Sequence, residues 1–169
     1  SISSNVTCNG FSDGAAQAVG SGGTGTLTYD WSDGQNGSTA TNLTAGQTYT
    51  VSVSDDNGCV VSTTVTMNDP VALSINVDAS TDPTLCEGSD GVVNLSGNGG
   101  SGSYEFRLGA SGTWQTSGTF SGLTAGTYDF YIRNNDGTCL AGPVSVTLND
   151  PVPFSCPIIP PANPYTACN

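Results

Sequence analysis

Apolar and polar residues alternate with period two in most of the runs that hold large side chains. In TYTVSVSD (48–55), Tyr49, Val51 and Val53 alternate with Thr and Ser; TVTM (64–67) puts Val65 and Met67 on one face; TYDFYIRN (127–134) puts Tyr128, Phe130 and Ile132 on one side. Strict alternation marks strands with one face buried and one wet, as in an antiparallel sandwich. Between the runs stand GSGGTG (20–25) and GNGGSG (97–102), which read as loops because glycine takes positive φ cheaply. Helix formers are rare, with one Met, no Lys and only Glu87 and Glu105. Gly, Ser and Asn are abundant, but the apolar residues cluster rather than being diluted, which argues against disorder.

The pattern occurs twice. TCNGFSDG (7–14) returns as TLCEGSDG (84–91), Leu43-Thr44-Ala45-Gly46 as Leu123-Thr124-Ala125-Gly126, and NDPV at Asn68 as NDPV at Asn149. Landmarks recurring in one order at a spacing near 80 indicate internal duplication. Short strands with turns every few residues then predict an all-β chain of two tandem immunoglobulin-like antiparallel β-sandwich domains. The expected boundaries are 1–70 and 71–151, followed by a Pro-rich tail at 152–169. One larger barrel is the alternative that the duplication disfavours. VALSINV (71–77) reads as the first strand of the second copy. Aligning Ser1-Ile2-Ser3 with Ser74-Ile75-Asn76 leaves the first copy without a counterpart of 69–73, while an equivalent piece follows the second NDP.

Domains this small bury a modest core and need support. The chain has six cysteines, which permit 15 pairings. The repeat suggests Cys8–Cys59, Cys86–Cys139 and a tail clamp, Cys156–Cys168. The first two would each close a loop of about 50 residues, worth on the order of 4 kcal/mol in the chain-entropy model, and the third a loop worth roughly 3 kcal/mol. Free thiols or a metal site are the rivals, but there is no Cys-x-x-Cys and no His to complete a zinc sphere. Cysteines so arranged indicate an oxidising, extracytoplasmic setting.

Charge is scarce and one-sided. Fourteen acidic residues face two basic ones, Arg107 and Arg133, for a formal charge of −12. That balance opposes binding to nucleic acid, which requires Lys/Arg to displace counterions, and to anionic membrane surfaces. No run of about 18 apolar residues exists to span a bilayer. The residues from Ser1 onward show no leader pattern, which leaves any signal segment outside this numbering.

The assembled landmarks resemble the SprB-type repeat: a Cys-x-Gly-x-x-Asp-Gly opening, a Gly-Gly loop, a Tyr-x-Trp strand, Leu-x-Ala-Gly-x-Tyr and a closing Asp-x-x-Gly-Cys. Cys8 to Gly14, Tyr29-Asp30-Trp31, Leu43 to Gly46 and Asp55-Asp56-Asn57-Gly58-Cys59 carry the likeness. The second copy departs from it, with Tyr104-Glu105-Phe106-Arg107 in place of the Trp strand, Trp114 displaced later, and one extra residue before Cys139. The resemblance spans about 1–151 and implies a non-enzymatic role in secreted surface proteins, including adhesins, of gliding and related Bacteroidota. It names no ligand.

Few residues offer chemistry. Without His or Lys, catalysis would fall to carboxylates, Tyr or Ser, and a paired-carboxylate hydrolase ranks last. Asp13, Asp33, Asp90 and Asp136 each precede Gly, where Asp builds tight turns. Asp55-Asp56-Asn57 and Asn134-Asn135-Asp136 are the densest oxygen clusters; Ca²⁺ is a minority reading there, since no EF-hand spacing appears. No metal site or other cofactor is expected. Trp31 reads as core. Trp114, in the hydrophilic GASGTWQTSG, is the candidate for contact with a glycan, although packing is preferred even there. Of the Asn-x-Ser/Thr sequons, chance accounts for most.

The front deficit and end surplus read either as an excerpt of a long array cut at an arbitrary phase or as a whole subunit; the second reading leads to a non-catalytic extracellular subunit of a cell-surface filament or adhesin, polymerised head to tail. Ser1, Ile2 and Ser3 would meet the next molecule's tail, with Val152, Phe154, Ile158 and Ile159 as its apolar contacts. Such heterologous contact builds open filaments unless it closes. No Lys guards any strand edge, while the tail prolines each lack a ladder N–H. The alternative is a carbohydrate-binding module of a secreted protein, using Trp114.

Overall fold

The computed structural model describes residues 1–85 and 87–151. These residues form twelve strands and no helix. The first six are β1 (Ile2–Ser4), β2 (Gly14–Gln17), β3 (Thr28–Trp31), β4 (Thr39–Leu43), β5 (Thr48–Ser54) and β6 (Val60–Thr66). They make two antiparallel three-stranded sheets, β1-β2-β4 and β3-β5-β6. The next six are β7 (Ser74–Thr81), β8 (Gly91–Asn98), β9 (Tyr104–Leu108), β10 (Thr119–Leu123), β11 (Gly126–Asn134) and β12 (Leu140–Leu148). They repeat the arrangement as β7-β8-β10 and β9-β11-β12. The fold is all-β and sandwich-like, as the alternation predicted.

Each pair of sheets encloses its own apolar cluster. Ala16, Trp31, Ala40, Leu43, Val51 and Met67 fill the first, with Tyr49, Val53 and Val65 packed against it. Val93, Leu95, Phe106, Leu123, Phe130 and Ile132 fill the second, with Tyr128 beside them. The inward faces assigned by period two are thus the packed faces. Trp31 is buried and donates its indole N–H to the Gly37 carbonyl at 2.9 Å, satisfying the one polar atom such a residue takes into a core. The clusters share no residue, so each sandwich has its own hydrophobic centre.

Register corrects the alignment of the chain's front. Ile2 lies opposite Ala16 in β2, and the matching core position in β8, Val93, lies opposite Ser80. Ile2 therefore corresponds to Ser80, not Ile75. Matching Ser-Ile by letter slid the strand by several residues; the irregularities between Ile2 and Ser4 and between Val77 and Ala79 hid the slip. Ser1 then corresponds to Ala79, and residues 69–78 of the second repeat align ahead of Ser1. The strand expected at 71–77 forms at Ser74–Thr81 instead. Because β7 is long, β8 extends eight residues to Asn98, whereas β2 stops after four. The second Gly run is thus partly strand.

Candidate functional site

Both sandwiches open with the same locked loop. In the first, Asp13 accepts the Thr7 N–H at 3.0 Å and the Thr7 hydroxyl. In the second, Asp90 accepts the Thr84 N–H at 3.0 Å and its hydroxyl at 2.5 Å. The hydroxyl first and the amide second hold both carboxyls below the ordinary value of 3.8. The NDP motif returns to this loop. Asp69 accepts the Gly10 N–H at 3.0 Å and the Asn9 side-chain amide at 2.9 Å, and Asn9 also donates to the Pro70 carbonyl at 3.0 Å. Asp150 accepts the Glu87 N–H at 3.4 Å. The duplicated tetrapeptide thus fastens the end of each repeat onto that repeat's own opening loop.

The opening loop of the first sandwich meets the closing hairpin of the second. Cys8, buried, is bonded to Cys139 with Cα atoms 5.6 Å apart, while Cys59 is free and exposed. The expected Cys8–Cys59 and Cys86–Cys139 pairs are therefore incorrect. The physical reason lies in the strands. The Ala45 N–H bonds Phe11 O, which sets the opening loop at the start of β5, while Cys59 follows its far end. Seven residues of β5 span about 20 Å, far beyond the reach of a disulfide. A 180 Å3 cavity at the junction is bordered by Cys8, Phe11, Val71, Leu73, Cys139 and Leu140. Cys86, Cys156 and Cys168 lie outside the described residues, as do Val152, Phe154, Ile158 and Ile159.

The oxygen clusters act on the Gly-rich loops. Asp55 accepts N–H groups from Thr24 at 2.9 Å, Cys59 at 2.8 Å and Asn57 at 3.0 Å. These three amides, Thr24 foremost, lower its pKa. Asp56 accepts the Thr26 N–H at 3.1 Å. In the second sandwich the buried Asn134 takes Asp55's place, accepting the Ser101 N–H at 3.0 Å and donating to Thr138 Oγ1 at 3.1 Å. Asp136 accepts the Thr138 hydroxyl at 2.6 Å and N–H at 2.9 Å, which keep its pKa low. Asp33 accepts from the Gln35 amide N–H at 3.2 Å. Backbone donors surround these oxygens, and a cation needs acceptors. No group of three His, Cys, Asp or Glu gathers among the described residues.

Trp114 is half-buried over the outer face of β9 and β11. The Arg107 and Arg133 guanidinium carbons stand 4.5 and 4.4 Å from its ring centre, and Arg107 also lies 5.0 Å from the Tyr131 ring. Arg133 pairs with Glu105 at 2.7 Å. Arg107 Nε is buried without a partner. Both cations of the chain thus converge on one indole, and the ring area they cover competes with sugar stacking. Sequence reasoning missed this ladder. Its signal was the outward period-two pairs Glu105/Arg107 and Tyr131/Arg133 on adjacent strands.

Ser1, Ile2 and Ser3 stand at the edge of the first sandwich. The Ser1 ammonium donates to Gln17 O and Gln17 N donates to Ser1 O, both at 2.8 Å. All three residues are exposed.

Residues 1–36 match the family model of the SprB repeat. This SprB match runs from β1 through β3 and includes the Cys8 loop and the Tyr29–Trp31 strand. Among solved structures, the chain is similar to "Three N-terminal domains of the bacteriophage RB49 Highly Immunogenic Outer Capsid protein (Hoc)", with a TM-score of 0.55 at 20% identity. The likeness covers 88% of this chain and 57% of that one, and is a likeness of fold. No curated protein matches the chain. Among the described residues, no helix is long and apolar enough to cross a membrane.

Proposed function

We propose that the chain is a non-catalytic structural piece of an extracellular surface protein, a filament or adhesin subunit joined head to tail. Its units are 1–70, 71–151 and the tail 152–169. The observation that carries this reading is the Cys8–Cys139 bond between the two sandwiches. A disulfide persists in an oxidising compartment, and one that ties neighbouring repeats resists their separation. The SprB match at 1–36 supports a surface setting. The Asp side chains argue for scaffold: Asp13, Asp90 and Asp136 are spent on backbone and hydroxyl donors of their own loops, and Asp55 on amides of its own hairpin and of the Gly-rich loop at Thr24.

Head-to-tail joining is supported by the Cys8–Cys139 joint, which ties the second repeat's closing hairpin to the first repeat's opening loop within the chain. Electron microscopy of the native material, with and without 152–169, tests the reading. Ordered assemblies that vanish with the tail are the expected result; fibres that persist without it would refute the tail's role.

A further inference from the structure

We infer that Arg107, on the outer face of the second sandwich, is the receptor for the carboxylate of an acidic sugar, in a polysaccharide whose uronate groups are spaced one to a disaccharide. Such a site serves a single chain and an assembly alike, and so does not depend on head-to-tail joining.

Arg107 is the chain's unspent cation. All fourteen acidic residues lie among the described residues, and the ion pair found among them is Glu105 with Arg133. Arg107 has no hydrogen-bond partner among the described residues, and its Nε is buried without one. The two Nη groups are not buried, so they are the part that a ligand can reach. A partly buried guanidinium without a counter-charge is a liability that a bound anion removes.

The cation is held in place. Its guanidinium carbon stands 4.5 Å from the Trp114 ring centre and 5.0 Å from that of Tyr131. Trp114 is set over β9 because its neighbour Gln115 exchanges both backbone hydrogen bonds with Phe106, at 2.9 and 2.7 Å. Neither the Trp114 indole N–H nor the Tyr131 hydroxyl has a partner among the described residues. Guanidinium, indole and phenol donors thus share one patch.

The sandwich does not need this face. In the first repeat Asp30 lies opposite Ser52, three places before Asp55; in the second Arg107 lies opposite Tyr131, three places before Asn134. Thr28, Asp30, Ser52 and Ser54 therefore occupy the positions of Glu105, Arg107, Tyr131 and Arg133. The same three-stranded sheet is built there with short hydroxyl side chains and an exposed acid. Reversed charge at an equivalent position of an unchanged sheet marks ligand chemistry rather than folding.

The donors choose the ligand. A planar guanidinium takes a carboxylate through two parallel N–H···O bonds, and the free indole N–H and phenol suit sugar hydroxyls. The adjoining segment GASGTWQTSG (109–118) has no aliphatic side chain larger than alanine, so it offers none of the apolar anchoring of a protein interface. With −12 on the chain, a densely charged polyanion is repelled at long range. One unpaired guanidinium matches one carboxylate at a time.

Fluorescence titration of the full chain tests this, because Trp114 stands at the site while Trp31 is buried in the other core. The probe is a hyaluronan octasaccharide, with its carboxyl methyl ester as the neutral match. The acid should give a saturable change in emission, and the ester should bind about tenfold more weakly, the scale of one hydrogen-bonded charge. Arg107→Gln should lose binding by the same factor. Arg107→Lys, which keeps the charge without the fork, should lose part of it. Urea denaturation shows whether each variant is folded; if Arg107→Gln is not, the ester and Arg107→Lys carry the decision. No response from wild type, equal binding of acid and ester, or wild-type binding by either folded Arg107 variant overturns the site. Tighter binding of polyglutamate or of a heparin octasaccharide overturns the uronate as its ligand.

Discussion

Cys8 and Cys139, separated by 131 positions, are bonded to each other, and the bond fastens one sandwich to the other. Both apolar clusters lie within the closed loop apart from Val6, Val146 and Leu148. A loop of this length removes about 5 kcal/mol of denatured-state freedom in the chain-entropy model. A non-reducing peptide map should recover the Cys8–Cys139 pair, and Cys139→Ser should lower the denaturation midpoint without abolishing either core. A midpoint that does not move would show that the bond constrains nothing.

The separate clusters predict separate responses. Leu43 and Phe130 are both 0% exposed, one in each core. Leu43→Ala should cost about 2–5 kcal/mol and Phe130→Ala about 3–5 kcal/mol, through lost burial and the cavity left behind. In calorimetry with the Cys8–Cys139 bond reduced, each substitution should lower its own transition and spare the other. Equal shifts of a single transition would make the two sandwiches one cooperative unit and defeat the division at residue 70.

Trp114 holds the chain's two guanidinium groups. Trp114→Ala should destabilise the second sandwich by about 1–2 kcal/mol, the scale of partly desolvated cation–π contacts, and Trp114→Phe by less. The measurement is urea denaturation. Full stability after Trp114→Ala, together with loss of binding on a glycan array, would mean that the ring serves a sugar rather than the sheet.

Strands and inward faces were legible because period two is imposed by the pleat itself: Val51, Met67, Phe130 and Ile132 fall where alternation puts them. The duplication was legible from NDP and the Asp-Gly openings, since turn chemistry fixes those letters. Disulfide pairing was not legible. Cys8 and Cys59 look like partners within a repeat, and only strand direction shows that a seven-residue β5 separates them. The front alignment failed for a related reason. Ser1-Ile2-Ser3 resembles Ser74-Ile75-Asn76 in letters, whereas register is set by what lies across the ladder.

Acid should loosen the loops. Asp13, Asp55, Asp90 and Asp136 all have pKa values lowered from 3.8 by bonds present only in the folded chain. Below 3.8 the unfolded chain takes up protons that the folded carboxylates still refuse. Their stabilisation is therefore complete above 3.8 and is lost as pH falls through the lower folded values. Between pH 7 and 5 this contribution should be flat. Asp55→Asn keeps one acceptor oxygen and removes the titration, so the difference in stability between wild type and Asp55→Asn should shrink below pH 4. A difference that stays constant down to pH 2 would show that Asp55 gains nothing from its charge.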